Sequence, residues 1–312
     1  MHNSPHLRAR PRLIAALFSL LLLTSCAQVP PGTLRDTDHP LAGRLWDVAA
    51  GGYIDEAELL RRAGQAEALL LGETHDNPQH HRLQLRILQT RLGAGARPAL
   101  LMEQFDNDQQ AAIDEARKAG KDIAPLMRGW DWALYRPLVA LADSTRIPLR
   151  AANLPRGATR PVVREGFATL AVGEQRRLAL LAVWDDARQA YMAGLIEASH
   201  CGKVSPQLRD GLVLAQRLRD ATLADSALDQ LERGVVFILG RGHARRDVGV
   251  PRYLEARRPG TRVLSIGFVE VGADRTAPAQ YENEGVGGIA PYDIIWFTPR
   301  AERPDPCLAF GK

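Results

Sequence analysis

No apolar run in this 312-residue chain is long enough to cross a bilayer, no internal repeat recurs at a fixed period, no low-complexity tract occurs, and only three cysteines are present. A membrane-spanning helix needs about 20 consecutive apolar residues, and the run at residues 13–23 ends well short of that. Without repeats the chain is neither a solenoid nor a propeller. An excess of one charge is missing as well, with 40 Lys and Arg against 36 Asp and Glu. Three of the basic residues, Arg8, Arg10 and Arg12, crowd the N-terminus; without them 37 basic residues face 36 acidic ones. No basic face for nucleic acid is implied, so nucleic acid is not an expected partner.

What the N-terminus does contain is an arginine-bearing stretch without acids, then the apolar run, then Leu23-Thr24-Ser25-Cys26. A charged segment feeding a short apolar core and small residues has the pattern of an export signal, expected over residues 1–25. Leu three places before Cys26, with Ser just before it, resembles the lipobox of bacterial lipoproteins. That resemblance implies acylation of Cys26 with palmitate or a like chain, and a membrane contact made through lipid. Ala27, in place of an aspartate, implies the outer membrane. Several acyl chains at about 0.8 kcal/mol per methylene hold a protein on a surface without spanning it. Residues 26–40, with Pro30, Pro31, Gly32 and Pro40, read as the lipidated end and a tether. Cys201 and Cys307 are then left in a compartment that permits disulfides, either paired or as separate thiols.

From residue 41 to 312 the pattern is that of one α/β domain. Short apolar runs at 68–71, 99–102, 148–152, 235–239 and 263–267 are strand-sized, and helical patterns at 78–92 and 108–119 lie between them. This alternation predicts a mostly parallel sheet flanked by helices. A last run at 293–297 predicts an edge or terminal strand. Between the third and fourth core strands, from about 160 to 231, helical patterns follow one another without a strand, which predicts a helical insertion placed as a lid or wall. Ser205-Pro206 there forms an N-cap followed by proline at the first helical position.

Polar residues cluster where the strands end. Gly72-Glu73-Thr74-His75 follows the first core strand and Gly240-Arg241-Gly242-His243 the fourth, so Gly-x-x-His occurs twice in like settings. The second strand ends in Glu103-Gln104 and the third in Asn153-Leu154-Pro155-Arg156. Ligands of open parallel sheets bind beyond the carboxyl ends of the strands, so these side chains are expected to converge. His75, His243, Glu73 and Glu103 have the chemistry of a divalent-metal site, and with Arg156 they make a candidate catalytic set. His80 and His81, adjacent on a helix, do not face each other and are read as a solvated pair. Trp130 and Trp132 are read as packing residues.

The motifs Leu71-Gly72-Glu73-Thr74-His75, Glu103, Asn153-Leu154-Pro155-Arg156, the segment Ala215-Gln216-Arg217-Leu218-Arg219-Asp220-Ala221 and Gly240-Arg241-Gly242-His243 together resemble the ChaN-type haem-binding uptake lipoproteins of the Tiki/TraB/erythromycin-esterase superfamily. The resemblance runs from about residue 69 to 268. It implies haem as cofactor and iron uptake at the cell envelope. The esterase side of the superfamily implies the alternative, a metal-dependent hydrolase acting on a peptide or ester. For haem iron, His200 and Tyr191 in the helical insertion are the candidate ligands. The reading also leaves room for a homodimer.

Overall fold

Each long apolar run forms a strand that serves two cores at once. In the strand Ala68–Glu73, Ala68 and Leu70 pack into one core while Leu69 and Leu71 pack into the other. In Val235–Gly240, Val235, Phe237 and Leu239 likewise oppose Val236 and Ile238. Successive strand residues point to opposite faces, so a strand covered on both sides reads as unbroken apolar sequence.

The computed structural model describes residues 33–282, 285–305 and 307–308; the signal segment, Cys26 and Ala27 lie outside them. The strands are β1 (Leu34–Arg35), β2 (Leu45–Asp47), β3 (Gly52–Ile54), β4 (Ala68–Glu73), β5 (Ala99–Asp106), β6 (Leu149–Asn153), β7 (Val235–Gly240), β8 (Val263–Glu270), β9 (Ile294–Thr298) and β10 (Arg300–Ala301). The helices used below are α1 (Glu56–Gln65), α2 (Pro78–Gly93), α3 (Gln110–Lys118), α4 (Trp132–Ser144), α5 (Arg156–Glu165), α6 (Val172–Arg177), α7 (Asp186–Ser199), α8 (Pro206–Asp225), α9 (Arg241–Ala244) and α10 (Val250–Arg257). Among the described residues no helix is long and apolar enough to cross a membrane.

Eight strands form one sheet in the order β3-β2-β9-β8-β4-β7-β5-β6, parallel from β9 to β6. The run expected as an edge or terminal strand, β9, ends the parallel block and lies between β8 and β2. The hairpin β2–β3 pairs antiparallel onto it, Trp46 opposite Ile295. Three-residue strands carry too little alternation to be seen in sequence. A separate two-stranded ladder joins β1 to β10, so Leu34–Arg35, within the segment read as a tether, is paired in the fold.

The connections decide where a crevice opens. Helices α2, α3 and α4, which link β4 to β5 and β5 to β6, pack on one face through Ile87, Leu88, Ile113 and Leu138. On the return side α5, α8 and α10 pack on the other through Val162, Leu218, Val250 and Leu254. Neighbouring strands β4 and β7 therefore send their following segments to opposite faces, which is the condition for a ligand crevice beyond their carboxyl ends. The helical insertion between β6 and β7 holds α5 to α8. Ser205 Oγ accepts the Leu208 amide at 3.3 Å and starts α8 as its sequence predicts. Cys201, just past α7, is disulfide-bonded to Cys307, which ties the insertion to the C-terminal segment.

Candidate functional site

The two Gly-x-x-His turns lie side by side because β4 and β7 pair in parallel with Glu73 opposite Gly240. Their glycines are required by contact. A Cβ on Gly72 would stand 2.6 Å from Ala244 Cβ, and one on Gly240 would stand 3.0 Å from the His75 ring. Neither position has room for a side chain while α9 and His75 keep their places.

The strands bring Glu73, His75, Glu103 and His243 together, but in two groups on the two faces of the sheet. Facing α2 and α4 is Glu73, 1% exposed. Its Oε1 accepts the Tyr135 hydroxyl at 2.6 Å and His75 Nδ1 at 2.9 Å; its Oε2 accepts the Gln84 amide at 2.6 Å. Gln104 approaches Oε1 at 3.4 Å. A carboxylate only accepts, so His75 carries a proton on Nδ1, and in the neutral ring the lone pair is on Nε2. Burial, and then the charge of Glu73, push the Tyr135 hydroxyl far above the usual phenol range, which keeps it a donor. Burial works against a charged His75, but the Glu73 hydrogen bond and the charges of Glu103 and Glu73 outweigh it and raise its pKa.

The second group faces α8. Consecutive residues of β5 alternate, so Glu103 points away from the Gln104 side, and the register of β5 against β6 shifts between Met102 and Asp106. Glu103 Oε2 accepts the Gly240 amide at 2.6 Å, and its Oε1 lies 3.4 Å from His243 Nε2. On the other side His243 Nδ1 bonds Asp220 Oδ1 at 2.6 Å. Burial disfavours the imidazolium, yet the flanking Glu103 and Asp220 push His243 up to about 10. Burial would raise Glu103, but His243 holds it down to about 2. For Asp220 burial prevails over His243, and its carboxyl rises to about 6.

Among the described residues no group of three or more His, Cys, Asp or Glu side chains is placed to hold a metal ion. Both His243 nitrogens already face carboxylates, and Glu73 is saturated by donors, so His75, His243, Glu73 and Glu103 are engaged pairwise rather than aimed at a common point. His80 and His81 also depart from the expected solvated pair, being 0% and 5% exposed. The first turn of α2 is wedged between the end of β4 and the end of β9, so diverging directions are both interior. His80 Nδ1 accepts the Thr74 amide at 2.8 Å and its Nε2 donates to Thr298 Oγ1 at 2.8 Å; burial keeps the ring neutral, well below the usual histidine range. His81 Nε2 donates to the His75 carbonyl at 2.9 Å, fixing the turn that carries His75.

Arg156 opens α5; its side chain lies outside the described residues. Tyr191 sits on α7 beneath Arg245, whose guanidinium is 4.7 Å from the ring centre, in a small cluster with Met192 and Val213. His200 caps α7, with Nδ1 2.7 Å from the Ile196 carbonyl. Sequence reading missed Gln84, and it gave Asp220, though within a quoted motif, and Tyr135 no part in these pairings. Gln216 and Asp220 stand one helical turn apart on α8, both at His243, and that i, i+4 pairing of polar residues on an otherwise apolar helix face was the available signal.

An open cleft of about 710 Å³ lies over the ends of β5 and β6 beside α8 and α9, lined among others by Glu103, Leu126, Arg128, Trp130, Arg219 and His243. His75 stands beside it, its side chain 42% exposed and its ring edge-on to Trp130 with centroids 4.7 Å apart. Trp130 therefore does more than pack: it joins the first group to the cleft.

A family profile described as haem-binding uptake, Tiki superfamily, ChaN, matches residues 59–254, well over half the chain. The chain belongs to this family. Among solved structures it is similar to ChaN of Campylobacter jejuni, described as showing cofacial heme binding, at 19% identity and a TM-score of 0.64, covering 81% of this chain and 95% of that one. Two weaker likenesses are a succinoglycan biosynthesis protein (15% identity, TM-score 0.44, covering 69% of this chain and 68% of that one) and a mutant erythromycin esterase in its open conformation (12%, 0.41, covering 81% of each). A comparison with curated proteins finds no match. This ChaN-family fold is the α/β architecture with a helical insertion that the sequence predicts.

Proposed function

We propose that the chain is an envelope lipoprotein that binds haem for uptake, and that haem occupies the cleft beside His75. Membership of a haem-binding family and the haem bound by the Campylobacter jejuni ChaN support the ligand class. The observation that carries the site is His75 itself, a half-open imidazole whose Nδ1–H is held by buried Glu73, leaving the Nε2 lone pair for iron. Such a carboxylate behind a ligating histidine fixes its tautomer and raises its basicity. The rest of the cleft suits a tetrapyrrole: Trp130 and Leu126 offer apolar surface, and Arg128 and Arg219 offer cations for propionates. Bound there, haem supplies iron as the cargo, while the protein's side chains orient it.

Incubating the purified chain with hemin is expected to produce a Soret band with one saturable site, and His75→Ala is expected to shift that band and weaken binding at least tenfold. An identical spectrum and affinity in His75→Ala would remove His75 from the site. The lipid anchor rests on the lipobox; Cys26→Ser is expected to move the chain from the membrane to the soluble envelope fraction, and unchanged membrane partitioning would contradict it.

A hydrolase acting on a peptide or ester is the second reading, favoured by the buried Asp220–His243–Glu103 array beside the cleft, since strongly shifted acids and imidazoles concentrate at catalytic sites. Turnover lost in Glu103→Ala while the fold persists would favour it over simple carriage.

A further inference from the structure

The β1–β10 ladder places the start of the described chain at the carboxyl end of the sheet. β10 follows β9 after Pro299 alone, and the Glu302 amide donates to the Thr33 carbonyl at 2.9 Å. Because β9 runs parallel to β8, this ladder lies past the same strand ends that border the cleft. Seven residues lead from Cys26 to Thr33, and seven residues reach at most about 25 Å in any conformation. We infer that the tip of the hairpin formed by α7 and α8, which projects from this end, is a membrane-contact surface seated on the bilayer that holds the anchor. The inference rests on the lipid anchor proposed at Cys26, and it puts the cleft beside the lipid headgroups.

The direction of the hairpin follows from its contacts. α8 leads into the amino end of β7, while its Gln216 and Asp220 bond His243 just past the carboxyl end of that strand. Residues 206–215, about 15 Å of helix, therefore extend beyond the sheet. α7 runs back alongside them: Met192 packs with Val213, and Glu197 pairs with Arg209 at 3.7 Å. The Cys201–Cys307 disulfide then joins the turn of the hairpin to the segment that follows β10. Tether and hairpin tip thus belong to one end of the molecule.

The tip has the surface chemistry that lipid covers. Of the twenty residues from Gln189 to Leu208 only Glu197 and Lys203 are acidic or basic, one of each sign, in a chain that is 24% charged. Leu195 and Leu208 on the hairpin are 41% and 46% exposed, and Leu308 beside Cys307 is 69% exposed. Interfacial binding grows with the apolar area buried, so three leucines alone hold a bilayer weakly. A lipid anchor makes the contact intramolecular, and a weak contact then suffices. Val172 and Leu181, also exposed, flank α6, which Arg177 ties to Asp225 at the last residue of α8. They lie about 30 Å of helix away from the tip, farther than the tether reaches.

Amide hydrogen exchange tests this on the full chain, purified with its acyl chains and bound to vesicles of phosphatidylethanolamine and phosphatidylglycerol, against the Cys26→Ser chain free in solution. Exchange at residues 194–208 is expected to slow about tenfold on the vesicles, with residues 170–182 unchanged. Leu195→Ser combined with Leu208→Ser, both at exposed positions, is expected to lose that protection while the chain still floats with the vesicles, and Leu181→Ser to keep it. A chain that floats with no protection at 194–208, or with protection around Leu181 instead, overturns the inference and leaves the anchor standing. A chain that does not float overturns both. Protection that arises without vesicles and grows with protein concentration would mean that a second copy covers the tip, and overturns the inference as well.

Discussion

Substituting His243 by alanine is expected to cost about 3–5 kcal/mol of stability at neutral pH, the range for removing one partner of a buried ion pair. His243 lies between Glu103 and Asp220, and all three are buried. Its removal leaves two buried carboxylates facing each other, so the loss comes mainly from stranding them. The pH dependence separates this from a simple cavity. Because His243 is raised from 6.5 to about 10, its contribution is whole below about pH 6.5 and is lost as pH rises through about 10. Glu103, lowered from 4.5 to about 2, contributes above pH 4.5 and loses that contribution as pH falls towards 2. Asp220, raised from 3.8 to about 6, works the other way, and its contribution fades as pH rises through about 6. Urea denaturation of the wild type is therefore expected to show a midpoint that falls from pH 6.5 to 10, and His243→Ala is expected to lose that fall. Parallel pH profiles for the two proteins would show that His243 is not charged between its carboxylates.

Glu73→Ala is expected to be of similar size by a different route. It removes an acceptor from the Tyr135 hydroxyl and the Gln84 amide, both fully buried, and from His75. An orphaned buried donor costs about 1–3 kcal/mol, so the two buried donors together put the loss near about 4 kcal/mol. Glu73→Gln keeps one acceptor oxygen and is expected to recover part of it. Both substitutions also free the His75 ring from its tautomer, so hemin affinity is expected to fall with stability in Glu73→Ala and to fall even where Glu73→Gln restores most of the fold. A denaturation midpoint in Glu73→Ala within about 1 kcal/mol of wild type would mean that these donors find other partners.

The strands of the parallel core were legible because their signal is local. Unbroken apolar runs such as 68–71 and 235–239 stop at glycine and then at charge, and two such endings placed alike pointed to one region of the fold. The β2–β3 hairpin was not legible, since three residues show no period. Neither was the way the polar residues divide. Strand alternation places Glu73 with α2 and α4 and Glu103 with α8, so one expected cluster became two pairings, joined where His75 lies over Gly240 and against Trp130. The partners that decide this, Tyr135 and Asp220, look like ordinary members of helices α4 and α8 and become site residues only through contacts 62 and 23 positions away. For His80 and His81 the local rule, that neighbours on a helix diverge, holds. What the rule lacked was that α2 begins between two strand ends and has no outside there.

Crystals of the hemin-saturated chain measured at the iron absorption edge locate the haem. The anomalous iron peak is expected in the 710 Å³ cleft, within bonding distance of His75 Nε2. An iron peak on α7, at Tyr191 or His200, with the cleft empty of haem, would contradict that placement.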